Sequence, residues 1–309
     1  MTKRRAKPLN LDGQLYLTYT GMETDLMFTQ GVDLPGFASY PLLETPSGRE
    51  LLTQYYTDFI KLGQRENLGI ILESPTWVAN RDRGAELGYS SKQLQQLNIQ
   101  AVDFMDQIRA PFASAPILIS VNVGPRADAY APAEQMSETE AEHYHWEQIS
   151  ALEGTKTDII SGYTLAYTQE AIGISHAAKR ANLPVVIAFT VETDGRLPTG
   201  TSLQQAIETV DRATEAYPSY YMINCAHPDH FQNILSDAPW MNRLKGIVAN
   251  ASRCSHAELD EATELDAGNP TELGQQLAAF HRSYPNINVL GGCCGTDMRH
   301  ITCIAQAIT

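Results

Sequence analysis

The sequence predicts a single α/β domain folded as a (β/α)₈ barrel, because strand-like and helix-like segments alternate eight times. The strand-like segments share a high content of β-branched and aliphatic residues; they are 15–20, 68–74, 117–124, 158–163, 185–191, 221–226, 246–251 and 288–294. Several are continuous apolar runs, which is typical of strands buried on both faces of a parallel sheet. Such a barrel needs about 250 residues, and the 309 present leave room for insertions.

The helical stretches between these strands begin at defined signals. Thr45-Pro46 places a proline in a first turn, and Ser137 with Glu140 forms a capping box. A weaker start follows at Thr201-Ser202. These signals support helices where the barrel requires them.

The additional length lies in long loops after the first three strands, at 21–44, 75–90 and 125–136. Loops that follow barrel strands lie at the C-terminal face, which carries the active sites of such barrels. We expect a flexible basic tail over 1–14 and one barrel domain over 15–309. A doubly wound sheet is the alternative, but its glycine-rich phosphate fingerprint is absent after the first strand.

Charge and hydropathy narrow the classes of partner. Lys and Arg total 22 against 36 for Asp and Glu, and a net charge of −14 disfavours nucleic acid. No apolar run approaches the roughly 20 residues of a membrane helix, and polar residues follow the basic start where a signal peptide would be apolar. We therefore expect a cytoplasmic protein that does not bind membranes, and a homo-oligomer is compatible with this sequence.

Three cysteines stand where predicted strands end. Cys225 ends the sixth, and Cys293 and Cys294 end the eighth within a glycine-rich stretch. In a barrel these ends share one mouth, so three thiolates can meet around an ion with an open fourth position, as in a catalytic zinc site. The alternative is that they are small buried core residues. Cys254 and Cys303 are predicted not to be ligands.

Motifs along the chain resemble the homocysteine S-methyltransferase family. They are TGMETDL (20–26), VGP (123–125), FTV (189–191) with DGRL (194–197), INCAHP (223–228) and GGCCGT (291–296). The resemblance runs from about residue 15 to the C-terminus. It implies a (β/α)₈ barrel whose Cys225, Cys293 and Cys294 bind one zinc ion, and it makes Thr24 and Asn224, within these motifs, candidate substrate-binding residues.

The same resemblance implies an enzyme that methylates the thiol of homocysteine to give methionine. Among donors, a sulfonium compound such as S-methylmethionine or S-adenosylmethionine is favoured over methylfolate and betaine. Trp77, Tyr89 and Tyr130 in the long loops are candidates to surround such a cation.

Two family carboxylates are replaced in this chain. Acids that bind the amino group of homocysteine in the family correspond here to Tyr19 and Tyr163. We expect either that Glu73 and Glu23 substitute for them, or that the acceptor is a different thiol or selenol. A salt bridge to Arg81 is the structural alternative for Glu73. A non-catalytic paralogue that binds zinc or a thiol remains open, whereas a zinc hydrolase fits three cysteine ligands poorly.

Overall fold

Eight parallel strands close into a barrel in which each strand pairs with its neighbours in sequence and β1 pairs with β8. The computed structural model describes residues 9, 11, 13–112, 115–132 and 134–309. The strands are β1 Tyr16–Thr20, β2 Gly69–Glu73, β3 Ile117–Val123, β4 Ile159–Leu165, β5 Val185–Phe189, β6 Tyr221–Asn224, β7 Leu244–Ala249 and β8 Val289–Gly292. Each of the eight predicted segments contains or overlaps one strand, so the predicted barrel is confirmed. Most of the basic tail predicted over 1–14 lies outside the described residues, and that domain boundary stays a prediction.

One helix follows each strand and packs on the outside of the barrel. These helices are α1 Pro46–Arg65, α2 Ser91–Arg109, α3 Glu138–Ile149, α4 Thr168–Ala181, α5 Leu203–Thr214, α6 Pro228–Phe231, α7 Pro270–Ser283 and α8 Met298–Ile308. Shorter helices lie within the loops, at Met22–Thr24, Asp25–Thr29, Arg81–Glu86 and His256–Asp260. No helix among the described residues is both long and apolar enough to cross a membrane.

Side-chain caps fix where the predicted helices begin. The Thr45 hydroxyl accepts a hydrogen bond from the Gly48 amide at the start of α1. Ser137 caps α3 through the predicted capping box with Glu140. At the weaker signal Ser202 is the cap, which sets the start of α5. Each cap satisfies amides that the first helical turn would otherwise leave unpaired.

The register of the last three strands aligns their C-terminal ends. Asn224 of β6 pairs with Val248 of β7, and Ala249 of β7 pairs with Gly292 of β8. The residues that follow β6 and β8 therefore leave the sheet at nearly the same height. This register brings Cys225 and Cys293 to one edge of the barrel mouth.

Candidate metal centre and adjoining cavities

The turn after β8 presents two cysteines to the barrel mouth. The Cys293 amide donates to the Ala249 carbonyl across 2.7 Å, which continues the pairing with β7 for one residue. The Cys293 carbonyl accepts hydrogen bonds from the amide and the hydroxyl of Thr296. Gly295, at φ 76°, adopts a left-handed conformation that glycine tolerates best. These contacts close a tight turn, so the adjacent cysteines are not held to the alternating faces of a strand.

Cys225 leaves β6 with a left-handed backbone. Its φ is 54°, although its amide still donates to the Val248 carbonyl in β7. A non-glycine residue in this region costs about 1–2 kcal/mol. The surrounding sheet thus holds Cys225 in a conformation that the residue does not prefer.

The three predicted ligand sulfurs form one cluster. The Sγ atoms of Cys225, Cys293 and Cys294 all lie within 4.8 Å of one another, with the first two residues buried and the third partly exposed. Tetrahedral zinc–thiolate geometry, with Zn–S bonds of about 2.3 Å, places ligand sulfurs about 3.8 Å apart, so a small closure of this cluster suffices. Soft thiolate ligands select zinc over magnesium or calcium. The cluster is consistent with a zinc site that keeps a position open for substrate.

The two other cysteines take no part in this cluster, as predicted. Cys254 is exposed after β7, and its amide donates to the Ser252 hydroxyl. Cys303 lies in α8 and is only partly buried.

Polar groups surround the Cys225 sulfur. The Tyr130 hydroxyl donates to it across 3.2 Å, and the Asn250 amide nitrogen lies 3.6 Å away. Hydrogen bonds from the thiols of Cys293 and Cys294 lower the pKa of Cys225, and the same coupling raises the pKa of its two neighbours. Cys225 is therefore the thiol of the three that ionises first.

His256 supports this side of the cluster and was not anticipated from the sequence. Its Nε2 lies 2.8 Å from the Cys225 carbonyl oxygen, its Nδ1 lies 2.9 Å from Glu192, and its ring stacks on Tyr130 at 3.9 Å. Burial opposes its protonation, but the contacts with Cys225 and Glu192 outweigh burial and raise its pKa to about 9. The available signal was the capping box of Ser255 and Glu258, which starts a short helix at His256 in the loop after β7.

A small cavity of about 30 Å³, partly open to solvent, adjoins Cys293 and Cys294. Its other lining residues are mainly aromatic or polar: Tyr19, Gly21, Glu23, Thr24, Phe37, Trp77, Asn122, Tyr163 and Thr164. Five of the predicted substrate-binding residues thus come together here. Asn224 is absent from this lining; it is buried, and its Oδ1 accepts a hydrogen bond from Thr164 across 2.6 Å.

Glu73 occupies a different position from Glu23. It points into the barrel interior, where its Oε1 accepts hydrogen bonds from Thr18, Ser161 and Tyr163. Burial raises the pKa of Glu73 to about 7 even though the surrounding hydroxyl groups lower it. The Tyr163 ring connects this carboxyl to the small cavity. The alternative salt bridge to Arg81 does not form, since Arg81 pairs with Asp82 and Glu147.

A larger cavity of about 360 Å³, also partly open to solvent, meets the cluster at Cys294. It shares Thr24, Phe37 and Trp77 with the small cavity. Its lining also includes the aromatic residues Phe28 and Tyr130 and the acidic residues Asp128, Asp260, Glu264 and Asp266. Arg83 contributes a positive charge to the same lining. Tyr89 lies on neither cavity and donates a hydrogen bond to Glu44.

The family model described as homocysteine S-methyltransferase matches residues 18–308. The chain belongs to this family. Membership implies a small-molecule thiol and a methyl donor as substrates, and it confirms the resemblance carried by the cysteine motifs. Curated protein sequences give no significant match.

Among solved structures, this chain resembles the homocysteine methyltransferase MmuM from Escherichia coli. The oxidized form superimposes with a TM-score of 0.71 at 18% identity, covering 95% of each chain. The metallated form gives a TM-score of 0.67 at 19% identity, covering 97% of this chain and 99% of that one. At such identities the likeness shows a shared fold.

Aromatic rings stand at the two positions for which the sequence resemblance implies acids in the family. The rings of Tyr19 and Tyr163 lie 6.0 Å apart and both line the small cavity. The hydroxyl of Tyr163 donates to Glu73 rather than facing a ligand position. Within the small cavity, Glu23 is the one carboxylate.

Proposed function

We propose that this protein is a zinc-dependent S-methyltransferase that moves a methyl group from a sulfonium donor to the thiol of homocysteine, giving methionine. The observation that carries the proposal is the convergence of three cysteine sulfurs at the point where two cavities meet. The small cavity is narrow and reaches two of the sulfurs, and the large cavity has room for a larger ligand.

Cys225, Cys293 and Cys294 would hold the zinc ion. Bound by three thiolates, zinc lowers the pKa of an added thiol, so that the thiol is present as a thiolate at neutral pH. The partial exposure of Cys294 keeps one side of the cluster accessible. A general base within the site is therefore unnecessary.

The chain's own contribution is orientation. The small cavity holds the acceptor with its sulfur toward Cys293 and Cys294, and the large cavity presents the donor from the side of Trp77 and Tyr130. The acceptor sulfur forms a bond to the methyl carbon as the bond from that carbon to the donor sulfur breaks, and the donor leaves as a neutral thioether. The acceptor loses its thiol proton to solvent on binding. Holding two reactants in line in this way supplies much of the rate enhancement of a bimolecular displacement.

The walls of the large cavity favour a cationic donor. Aromatic faces attract a cation by about 0.5–2 kcal/mol each, and Phe28, which is 53% exposed, extends this aromatic surface toward solvent. Asp128, Asp260, Glu264 and Asp266 outnumber the two basic residues of the same lining, Arg83 and His256. S-methylmethionine and S-adenosylmethionine carry the required sulfonium charge, whereas methylfolate is anionic and betaine has no net charge.

A different thiol or selenol acceptor is the second candidate, and the two tyrosines favour it. Tyr19 and Tyr163 make one side of the small cavity more apolar than the family pattern. An acceptor without an amino group would pack against these rings. A protein that binds zinc and thiols without catalysis would share the same geometry.

The deciding experiment combines metal analysis with methyl transfer. Protein purified under reducing conditions is expected to contain one zinc per chain and to form labelled methionine from homocysteine and methyl-labelled S-methylmethionine or S-adenosylmethionine. Betaine in parallel should give none. Zinc without methionine from any donor would reject the homocysteine reaction, and a panel of other thiols and selenols would then separate a different acceptor from a binding protein. Absence of zinc would overturn the proposal.

A further inference from the structure

The small cavity contains a buried carboxylate without a cationic partner. Glu23 is 4% exposed and receives one side-chain hydrogen bond, from the Ser39 hydroxyl at 2.8 Å. Among the described residues, no lysine, arginine or histidine forms an ion pair with Glu23, and none lines this cavity. Burying a charged carboxylate is costly unless a positive charge or several donors compensate for it. The Ser39 hydroxyl and the amide of Glu23 itself offset this cost only in part, and burial raises the pKa of Glu23.

An unpartnered acceptor lies in the same cavity. The Oδ1 atom of Asn122 is buried and has no hydrogen-bond partner in the described part of the chain, while the residue as a whole is 2% exposed. Most buried polar atoms in proteins are hydrogen-bonded, so each exception needs a reason. Glu23 has the Ser39 hydroxyl as its side-chain donor, and Asn122 Oδ1 has none among the described residues, so together they offer acceptor oxygens to a group with several N–H bonds and a positive charge.

Glu23 is held at a fixed place relative to the metal cluster. It lies in the helical turn Met22–Thr24 directly after β1. The neighbouring Thr24 hydroxyl accepts a hydrogen bond from the Gly295 amide across 3.1 Å, which joins this turn to the loop that carries Cys294. Glu23 and Cys294 also line the same small cavity. A ligand whose sulfur reaches the cluster can therefore reach Glu23 with its other end.

We propose that Glu23, with the side-chain oxygen of Asn122, binds the ammonium group of an amino-acid thiol acceptor. This inference rests on the proposed function and specifies its acceptor as one with a free amino group. The carboxylate that binds the ammonium group is thus that of Glu23, in the loop after β1 and four residues beyond Tyr19. Glu73 has no direct contact with substrate in this arrangement. Glu23 lines the small cavity but not the large one, which favours the acceptor's ammonium over the donor's sulfonium as its partner.

The test measures binding to zinc-loaded protein by calorimetry, without a methyl donor. The two probes are homocysteine and 4-mercaptobutyrate, which has the same thiol and carboxylate but lacks the amino group. Wild-type protein should bind homocysteine more tightly. A charge-assisted hydrogen bond of about 1.5–3 kcal/mol corresponds to roughly a 10- to 150-fold loss, so Glu23→Gln should weaken homocysteine by that factor and leave 4-mercaptobutyrate within about twofold. Asn122→Ala should show a smaller loss with the same selectivity.

Glu44→Gln is the matched control, because Glu44 follows the same strand and bonds to Tyr89 away from both cavities. It should leave both affinities unchanged. Equal weakening of the two thiols by Glu23→Gln, or no weakening, would overturn the inference. An effect of Glu23→Gln on the KM for S-methylmethionine without any effect on thiol binding would assign Glu23 to the donor instead.

The outcomes also separate this inference from the proposed function. Selective loss of homocysteine binding in a protein that transfers no methyl group would uphold the ammonium site and reject the reaction. Methyl transfer that is insensitive to Glu23→Gln would uphold the reaction and reject the site. Zinc content and thermal unfolding of each variant show whether the substitution has disturbed the fold.

Discussion

Gly21 packs against the main chain of Cys293 so closely that a Cβ atom on it would lie 2.2 Å from the Cys293 carbonyl oxygen. Gly21 has a φ of 66°, so the backbone conformation also favours glycine. This contact is the place where the turn that carries Glu23 meets the turn that carries the metal ligands. A side chain at Gly21 would have to displace one of the two.

Gly21→Ala is therefore expected to damage the metal centre as well as the fold. Overpacking of this kind costs about 1–3 kcal/mol, in addition to about 1 kcal/mol for the left-handed backbone. Gly31→Ala is the matched control, because Gly31 has a φ of 68° and a Cβ atom added to it would meet no atom within 4 Å. Urea unfolding and zinc content per chain check the prediction. Equal behaviour of the two variants would show that the contact with Cys293 is unimportant.

Each of the three clustered cysteines should be needed for zinc. We expect Cys225→Ser and Cys293→Ala to weaken zinc binding by on the order of 100-fold or more and to abolish measurable methyl transfer. Cys254→Ser removes an exposed thiol outside the cluster and should preserve both properties. Competition with a chelator of known affinity measures the first effect. Full zinc affinity in Cys293→Ala would contradict the ligand assignment.

The barrel and the clustering of the three cysteines could be predicted from the sequence because their signals are local. Continuous apolar runs mark β5 and β7, and a glycine-rich stretch beside Cys293 and Cys294 marks a strand end at the mouth. The topology of a barrel then brings Cys225 to the same mouth without further information. Strand boundaries differed by up to two residues in either direction: β8 ends before the predicted segment does, whereas β4 extends to Leu165 and β7 begins at Leu244.

The walls of the cavities were less predictable because they depend on side-chain direction across elements distant in sequence. Glu73 and Glu23 are both acids near strand ends, yet one points into the barrel interior and the other into the small cavity. The stacking of Tyr130 on His256 joins loops after β3 and β7, and no sequence spacing encodes such a contact. The sequence offered three aromatic residues as candidates for the donor site. Trp77 and Tyr130 line the large cavity, whereas Tyr89 does not.

The aromatic face of Tyr130 should contribute to donor binding. Replacing it with leucine is expected to raise the KM for a sulfonium donor by about 3- to 30-fold, as a cation–π contact of about 0.5–2 kcal/mol implies. Tyr130→Phe keeps the ring and should stay within about threefold of wild type. Tyr89→Leu is the control from a loop aromatic outside both cavities. A KM that depends on the Tyr130 hydroxyl rather than on the ring would reject this role.

The carboxylates around the large cavity should attract the cationic donor in a salt-dependent manner. Asp260 and Glu264 are exposed on its rim. The double variant Asp260→Asn, Glu264→Gln is expected to raise the donor KM about two- to fivefold at low ionic strength and to have no effect at about 0.5 M salt, where screening is nearly complete. The KM for homocysteine should not change. A salt-independent effect would indicate a direct contact instead.

The buried carboxyl of Glu73 should make stability depend on pH in a particular direction. Its pKa is about 7 in the folded protein against a reference value of 4.5. Between these values the folded state keeps the proton that the unfolded state releases, so stability falls as pH rises from 4.5 through 7. The difference of roughly 2.5 pKa units corresponds to about 3 kcal/mol. The Glu73→Gln variant lacks this titration. The free energy of unfolding of the variant, relative to that of the wild type, should therefore increase by about that amount as the pH rises from about 4.5 to about 8. Urea unfolding at matched zinc content measures the gain. Parallel pH profiles for the two proteins would mean that Glu73 is ionised in the folded state, held by the hydroxyl groups of Thr18, Ser161 and Tyr163.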